Sequence, residues 1–325
     1  MATPRPTCIT GASGFIGRRL VERLRADGAT VRGVDLQTDK ARDVVAGDIS
    51  EPGLWQDAAA GSEVVVHTAA IVSNAATRDV AWRMNVLGTR HALDAAVAAG
   101  AKRFVHFSSV RAFSDVDFPD GVDERHPVRP DGSTYVDTKV ASEQVVLQAH
   151  AAGEIECTVI RPGDVYGPGS RPWTILPVDA IKSNRFVLPA MGKGVFSPVY
   201  VDNLLDGVLL AASRDDAAGE VFTISDGVGV SCREFFGHYC RMLGKPPPRG
   251  LPTVAALGLV SIPETIAWIS GEDTEIRRES MRYLAREGTY SIEKARRVLG
   301  YEPAIGLDEG MRLTEAWLRE QGLLS

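Results

Sequence analysis

Three glycines near the start of the chain constrain its fold more than any other feature. They stand in a G-x-x-G-x-x-G spacing, after a short apolar run at residues 7–10 and before a segment with helical periodicity. This order indicates a strand, a glycine turn and the start of a helix. Glycines let the backbone turn sharply and approach a diphosphate, and the first amides of the helix can bind that anion. The pattern therefore predicts a dinucleotide site. The residues predicted to bind the dinucleotide in this stretch are Gly11, Ser13, Gly14, Phe15, Ile16 and Gly17.

Length and composition are those of an ordinary globular protein. The chain has 325 residues, of which 44% are hydrophobic and 24% charged, enough for one large or two modest domains. Its formal net charge of -6 gives no basic footprint for nucleic acid, so we expect no nucleic-acid partner. Residues 1–6 contain no apolar segment of the secretory type, and we therefore expect a cytoplasmic location.

The four cysteines indicate neither a disulfide framework nor a metal site. Cys8, Cys157, Cys232 and Cys240 form no C-x-x-C pair and have no histidines at zinc-ligand spacing. We expect them to be reduced, packed thiols, and we predict no bound metal.

An acidic residue ends the second predicted strand, which spans Ala29 to Leu36. Asp35 stands where a carboxylate in a dinucleotide fold accepts hydrogen bonds from the ribose hydroxyls of the adenosine half. An aspartate at a strand end is also a common turn former, but the glycine fingerprint upstream favours the ribose role. Because a carboxylate there repels a 2′-phosphate, Asp35 favours NAD over NADP.

Strands alternate with helical segments through the first half of the chain. The apolar run from Val64 to Ala70 is suited to a parallel strand buried on both faces. A helix is predicted from Asn85 to about Ala99, and a further strand from Arg103 to Phe107 ends in two serines. This rhythm predicts an α/β fold with a doubly wound parallel sheet, whose ligands bind at the carboxyl ends of the strands.

A tyrosine and a lysine follow the Pro-, Asp- and Gly-rich loop at residues 115–132. Tyr135 and Lys139 are four residues apart at the start of a predicted helix, so they share one helix face. An ordinary tyrosine has a pKa of about 10, and a nearby ammonium stabilises its phenolate. Such a phenol can exchange a proton with an alcohol as a hydride leaves the alcohol carbon. An isolated Y-x-x-x-K is usually only structural, but here it follows the glycine fingerprint, the acidic strand end and the serines.

With these motifs the sequence resembles the extended short-chain dehydrogenase/reductase family (the NAD-dependent epimerase/dehydratase superfamily) along nearly all of the chain. Within that superfamily it looks most like the 3β-hydroxysteroid dehydrogenase/isomerase branch. Further motifs that carry the resemblance are Asp48-Ile49, the segment 67–70, the segment 85–89, Ser108-Ser109, the segment 161–169, the segment 199–204 and the segment 290–301.

The resemblance implies roles for individual residues. Tyr135 and Lys139 would be catalytic, together with the hydroxyl of Ser109, although a slip of one residue to Ser108 stays open because Ala112-Phe113-Ser114 departs from the usual pattern. Thr138, where a serine is common, is a milder departure. The cofactor would be NAD, and the further residues expected to bind it are Asp48, Ile49, Ala69, Ala70, Asn85, Tyr135, Lys139 and Pro162.

The resemblance also implies two domains and a homodimer that uses two helices of each subunit. An NAD-binding domain would comprise residues 1–165, 196–228 and about 289–300. A substrate domain would comprise residues 166–195, 229–288 and a C-terminal helix in 301–325. The most apolar run, residues 251–269, contains internal prolines and Glu264, which argue against a membrane-spanning helix. We expect helices there that cover the pocket or pack together, with a peripheral membrane contact as the less favoured interpretation.

The sequence alone is compatible with three functions. The apolar run favours oxidation of a secondary alcohol, or reduction of the ketone, on a sterol-like small molecule. Four basic residues keep a nucleotide-sugar epimerase or dehydratase open; they are Arg171, Lys182, Arg185 and Lys193. A binding protein that senses NAD without chemistry is the third reading, and the retained serine, tyrosine and lysine argue against it.

Overall fold

A parallel sheet of seven strands forms the centre of the protein in the computed structural model, which describes residues 5–73, 76–115, 119–259 and 278–324. The described strands are β1 (Thr7–Thr10), β2 (Val31–Asp35), β3 (Val44–Ala46), β4 (Val64–His67), β5 (Arg103–Phe107), β6 (Glu156–Pro162), β7 (Asp164–Tyr166), β8 (Val187–Leu188), β9 (Val195–Phe196), β10 (Pro198–Tyr200), β11 (Val221–Ile224), β12 (Val230–Ser231) and β13 (Arg249–Gly250). The central sheet has the order β11-β6-β5-β4-β1-β2-β3, and all of its neighbouring strands pair in parallel.

Helices connect the strands. The described helices are α1 (Phe15–Ala26), α2 (Arg78–Trp82), α3 (Gly88–Ala98), α4 (Thr134–Ala151), α5 (Leu176–Lys182), α6 (Val201–Ser213), α7 (Cys232–Met242), α8 (of which residues 253–259 are described), α9 (Arg278–Tyr283) and α10 (Leu307–Glu320). The residues of β1, β4 and β5 are buried throughout, as a sheet covered on both faces requires. The predicted doubly wound α/β fold is confirmed.

The helix predicted from Asn85 begins earlier in the structure. α2 starts at Arg78 and continues through a π-helical segment, Arg83–Leu87, into α3. Thr77 caps this start by accepting a hydrogen bond from the backbone N of Val80 at 3.4 Å. A capping threonine with an acidic residue in the first turn is a helix-start signal, so the sequence already contained the boundary.

Separate apolar clusters lie around the sheet and beyond it. Two of them pack on the central sheet, against α1 and α6 on one side and against α3 and α4 on the other. Another is built by side chains from residues 166–201, 232–256 and 281–318, and it includes many aromatic rings. Of the apolar run 251–269, residues 260–269 lie outside the described residues, whereas Ala256 is buried in this last cluster.

The sequence raised the questions of disulfides, metal ligands and a membrane-spanning helix. Each of the four cysteines is buried and free. In the described ranges no three potential metal-ligating side chains gather into a group. Within those same ranges no helix is both long and apolar enough to cross a membrane.

A buried carboxylate joins β10 and α6 to the end of the sheet. Asp226 accepts a hydrogen bond from the backbone N of Tyr200 at 3.1 Å and from Nδ2 of Asn203 at 2.7 Å. The Asn203 carboxamide in turn accepts from the backbone N of Ile305 at 3.0 Å. Burial raises the pKa of Asp226 to about 7.

This raised pKa predicts a defined pH dependence of stability. The native state binds the Asp226 proton more tightly than the unfolded chain, in which the pKa is about 3.9. The stabilisation is therefore complete below pH of about 4 and is lost as the pH rises through about 7. Unfolding free energies measured in urea across this range should fall with pH in the wild type relative to Asp226→Asn. Parallel pH curves for the two proteins would contradict this origin.

Candidate functional site

The glycine turn lies between β1 and α1 with its backbone tightly packed. A Cβ on Gly11 would lie 2.7 Å from the backbone N of Ala69, and one on Gly17 would lie 2.1 Å from the carbonyl oxygen of Gly11. Gly14 is exposed and is the N-cap of α1, where no side chain caps the helix and no acidic residue occupies the first turn. Uncapped first-turn amides at an exposed glycine suit the diphosphate of a dinucleotide.

Asp35 ends β2 directly beside this turn. Its Oδ2 accepts a hydrogen bond from the backbone N of Ser13, and its Oδ1 accepts one from the backbone N of Leu36, both at 2.8 Å. Each carboxylate oxygen keeps further acceptor capacity, as two ribose hydroxyls would need. The carboxylate thus holds the turn and stands where the sequence predicted a ribose contact.

The other residues predicted to bind the cofactor follow neighbouring strands. Asp48 is exposed and Ile49 buried after β3, and Ala69 and Ala70 follow β4. Pro162 is the buried last residue of β6. These positions lie at the carboxyl ends of parallel strands, so they share one edge of the sheet.

The side chain of Asn85 is hydrogen-bonded to Ile71 and to Thr138. Its Oδ1 accepts from the backbone N of Ile71 at 2.8 Å, and its Nδ2 donates to the carbonyl oxygen of Ile71 and to Oγ1 of Thr138, each at 3.1 Å. Thr138 Oγ1 donates in turn to the carbonyl oxygen of Tyr135 at 3.0 Å. Asn85 therefore joins the loop after β4 to the helix that carries the tyrosine, which is a positioning role. Its predicted contact with the cofactor stays a prediction.

Tyr135 and Lys139 lie on one face of α4, and both are buried. The lysine Nζ lies 5.9 Å from the centroid of the phenol ring and donates a hydrogen bond to the carbonyl oxygen of Phe107 at 2.7 Å. Burial lowers the pKa of Lys139 to about 8. Burial also raises the pKa of Tyr135, while the guanidinium of Arg111 and a hydrogen bond with Ser109 act to lower it.

The two serines after β5 make different contacts. Ser109 accepts a hydrogen bond from the backbone N of Arg111 at 3.2 Å and also interacts with the phenol of Tyr135. Ser108 donates to Oε1 of Glu143 at 2.5 Å, and both of these side chains are buried. This geometry supports Ser109 as the hydroxyl that meets the phenol, whereas the Ser108 hydroxyl is engaged beneath the site.

A buried ion pair lies under the two serines. Arg161 of β6 binds Glu143 of α4 through two hydrogen bonds, from Nε to Oε1 at 2.8 Å and from Nη2 to Oε2 at 2.7 Å. The Arg161 guanidinium also lies 4.5 Å from the ring centroid of Phe113. Two parallel bonds of this type fix the orientation of both side chains. The helix that carries the tyrosine is thereby held against β5 and β6.

Rings and guanidinium groups alternate beyond the phenol. The Arg111 Cζ lies 5.0 Å from the ring centroids of both Tyr135 and Tyr283, and the Arg286 Cζ lies 3.6 Å from the Tyr283 ring. We call the set Tyr135, Arg111, Tyr283 and Arg286 the ring–cation column. Through it the C-terminal part of the chain contacts α4, the helix that carries Tyr135.

Each arginine of the column has its own carboxylate. Arg111 binds Asp115, with Nε 2.9 Å from Oδ1. Arg286 donates from Nη2 to Asp164 Oδ2 at 2.7 Å, and the Tyr283 hydroxyl donates to the other oxygen of Asp164. The positive charges of these two arginines are therefore paired with carboxylates of the protein.

Sequence reasoning missed Arg111, Tyr283 and the Glu143–Arg161 pair. The i, i+4 spacing of Arg111 and Asp115 is a local signal that could have identified Arg111. No local pattern connects Tyr283 to a phenol more than a hundred residues away in the chain.

Comparison with protein families gives one match that covers most of the chain. Residues 7–225 match the model described as the NAD dependent epimerase/dehydratase family. Among curated relatives, a 4-hydroxy-2-methyl-3-oxo-4-farnesyl-3,4-dihydroquinoline-1-oxide ketoreductase from Stigmatella aurantiaca is 33% identical, covering 94% of each chain. A 3-beta-hydroxysteroid dehydrogenase from Mycolicibacterium neoaurum is 30% identical, covering 93% of this chain and 88% of the relative.

Solved structures share the fold along the whole chain. The dTDP-glucose 4,6-dehydratase from Streptomyces venezuelae, crystallised with NAD, superposes with a TM-score of 0.77 at 25% identity, covering 97% of both chains. The similar proteins thus include enzymes named for a farnesylated dihydroquinoline oxide and for a hydroxysteroid, and an enzyme named for a nucleotide sugar.

The contacts of the two serines predict that their alanine variants fail in different ways. Ser108→Ala leaves a buried carboxylate oxygen short of one donor, so it should lower the free energy of unfolding by about 1–3 kcal/mol. Ser109→Ala should lower it by less than about 1 kcal/mol and should abolish most NAD-linked turnover. Urea unfolding and steady-state kinetics on the two variants measure this difference. A stable, inactive Ser108→Ala together with an active Ser109→Ala would assign the catalytic hydroxyl to Ser108.

Proposed function

The chain belongs to the NAD-dependent epimerase/dehydratase family and is an NAD-dependent oxidoreductase, and from this premise we propose that it interconverts a secondary alcohol and a ketone on a largely apolar, sterol-like molecule. The observation that carries the proposal is the meeting of Ser109 and Tyr135 beside aromatic side chains whose neighbouring cations are already paired. The relatives of at least 30% identity support the same substrate chemistry.

The proposed chemistry assigns one task to each side chain. The Ser109 hydroxyl holds the substrate oxygen. In oxidation the Tyr135 phenolate takes the proton of that oxygen, and in reduction the Tyr135 phenol returns a proton to it. Lys139, with a pKa of about 8, remains mostly protonated at neutral pH and favours the phenolate. When bound, NAD accepts or supplies the hydride.

Aromatic side chains support an apolar substrate. Trp173 stacks on Tyr283 with ring centroids 5.8 Å apart, and Tyr283 leads through Arg111 to the phenol. Phe196 packs edge-on against Trp173 at 5.0 Å. A rigid ring system that buries about 300 Å² of apolar area on binding would gain about 7 kcal/mol before association costs.

The similarity to the dehydratase structure keeps a nucleotide sugar open as the alternative substrate. The diphosphate of such a substrate would need cations that are free to bind it. The column arginines are paired with carboxylates, which favours a neutral ligand. Among the basic residues suggested by sequence, Lys182 donates to the carbonyl oxygen of Leu323 at 3.1 Å, and Arg185 donates to Ser183 at 3.1 Å. Both cations therefore already donate hydrogen bonds to groups of the protein.

We also propose the two-domain division and the homodimer expected from the resemblance. The aromatic-rich cluster supports a substrate domain, because its members come mainly from the segments assigned to it. Exposed apolar side chains on the helical segment 78–98 support a helical dimer interface; they are Val80, Trp82, Leu87 and Val97.

Substitution of the tyrosine and of the lysine should separate proton transfer from cofactor binding. Tyr135→Phe keeps the ring and loses only the hydroxyl, so turnover should fall by about 10²–10⁴-fold while the Kd for NAD stays nearly unchanged. Lys139→Met removes a cation close to the phenol and a residue expected to bind NAD, so it should weaken NAD binding as well. Calorimetry with NAD and steady-state kinetics measure both effects. Equal turnover in Tyr135→Phe and wild type would remove Tyr135 from the mechanism.

Thermal unfolding with NAD present tests the substrate class. Dehydroepiandrosterone at about 100 times its Kd should raise the Tm by a few degrees, and the wild type should then reduce NAD. Tyr135→Phe serves as the matched control, because it should keep the Tm shift and lose the NADH signal. Stabilisation by UDP-glucose or dTDP-glucose, with no response to steroids or to other polycyclic alcohols, would replace this proposal by the nucleotide-sugar alternative.

A further inference from the structure

Arg111 holds a guanidinium group against the ring of the proposed proton-transfer residue. Its Cζ lies 5.0 Å from the Tyr135 ring centroid, compared with 5.9 Å for the Nζ of Lys139. Arg111 belongs to the short 3-10 turn Val110–Phe113, and its backbone N donates to the Ser109 hydroxyl. The arginine is therefore hydrogen-bonded to the Ser109 hydroxyl through its backbone, and its guanidinium lies near the Tyr135 ring.

Asp115 fixes the orientation of this guanidinium. The carboxylate accepts from Nε and from Nη2 of Arg111, and the side chains are only 14% and 5% exposed, respectively. The backbone N of Asp115 donates to Oδ2 of Asp131 at 3.0 Å, which anchors the carboxylate end of the pair. Two opposite charges thus have set positions in a poorly solvated environment beside the phenol, where electrostatic interactions are stronger than in water.

We propose that the Arg111–Asp115 pair is a positioning element that sets the proton affinity of the Tyr135 phenol, with Arg111 favouring the phenolate and Asp115 opposing it. The inference rests on the proposed function, because it concerns the proton-transfer group of the same site. Among the described residues, the charged groups that face the phenol are Arg111 and Asp115 from the segment after β5 and Lys139 from α4 itself.

The electrostatic balance at the phenol agrees with this geometry. Burial raises the pKa of Tyr135, and Arg111 is the strongest influence in the opposite direction, followed by the hydrogen bond with Ser109. The charge of Asp115 raises the pKa of Tyr135 again. Arg111 consequently offsets part of the cost of burying the phenolate, and Asp115 limits that offset.

A purely structural role for the pair predicts a different outcome from an electrostatic one. Arg111→Gln and Asp115→Asn break the same ion pair, so a structural clamp would be loosened in a similar way by both. An electrostatic element responds with opposite signs, because one substitution removes a positive charge and the other a negative charge. The two variants are therefore matched controls for each other.

The experiment is a pH titration of the full-length protein labelled with carbon-13 in its tyrosine rings and followed by NMR. The Tyr135 signal is assigned by its loss in Tyr135→Phe. Arg111→Gln should raise the pKa of Tyr135 by about 1 or more, and Asp115→Asn should lower it by about 1 or more. Arg111→Lys, which keeps the charge, should stay closer to the wild type than Arg111→Gln does. Circular dichroism of each variant checks that it folds.

A kinetic measurement provides the second readout. In NAD-dependent oxidation of dehydroepiandrosterone, the midpoint of the kcat/KM pH profile should move up in Arg111→Gln and down in Asp115→Asn. Shifts of the same sign in both variants, or no shift in either, would overturn the proposal. If Arg111→Gln does not fold, an unchanged or raised pKa in Asp115→Asn overturns it equally. Opposite NMR shifts without turnover of any steroid would refute the proposed substrate class and leave this inference standing.

Discussion

The buried ion pair between Glu143 and Arg161 fixes the arrangement on which the candidate site depends. Its two hydrogen bonds join α4 to β6, and the hydroxyl of Ser108 adds a third bond from the end of β5. Removing one partner of such a pair costs about 3–5 kcal/mol, because it leaves an uncompensated buried charge. With α4 held against both strands in this way, Tyr135 and Ser109 are brought together although they belong to different elements.

The cofactor side of the site depends on a different constraint, which is steric. Gly11 and Gly17 pack so closely that any side chain at either position would overlap backbone atoms. Asn85 then connects the loop after β4 with the helix of Tyr135 through the hydroxyl of Thr138. Tight backbone packing and a buried hydrogen-bond chain thereby connect the sheet edge proposed to bind the dinucleotide with the helix that carries the proposed proton-transfer group.

The parts of the protein that could be predicted from sequence are those specified by local patterns. The glycine turn, the acidic end of β2 and the i, i+4 pair of Tyr135 and Lys139 all depend on neighbours within a few residues. The Glu143–Arg161 pair and the contact of Arg111 with Tyr283 join residues from separate elements, and single-sequence patterns carry no signal for such pairings. The early start of α2 is different, because its capping threonine is a local signal.

The ring–cation column connects the aromatic wall proposed for the substrate pocket, formed by Trp173 and Tyr283, with the proposed proton-transfer residue. Trp173 stacks on Tyr283, which lies against Arg111, and Arg111 lies against the Tyr135 ring. A substitution in the wall that tilts Tyr283 would therefore move a charge next to the phenol. Substitutions in this wall would therefore change substrate preference and catalytic rate together. A variant of this fold that acquired a new substrate would need compensating substitutions around Arg111 to regain its turnover.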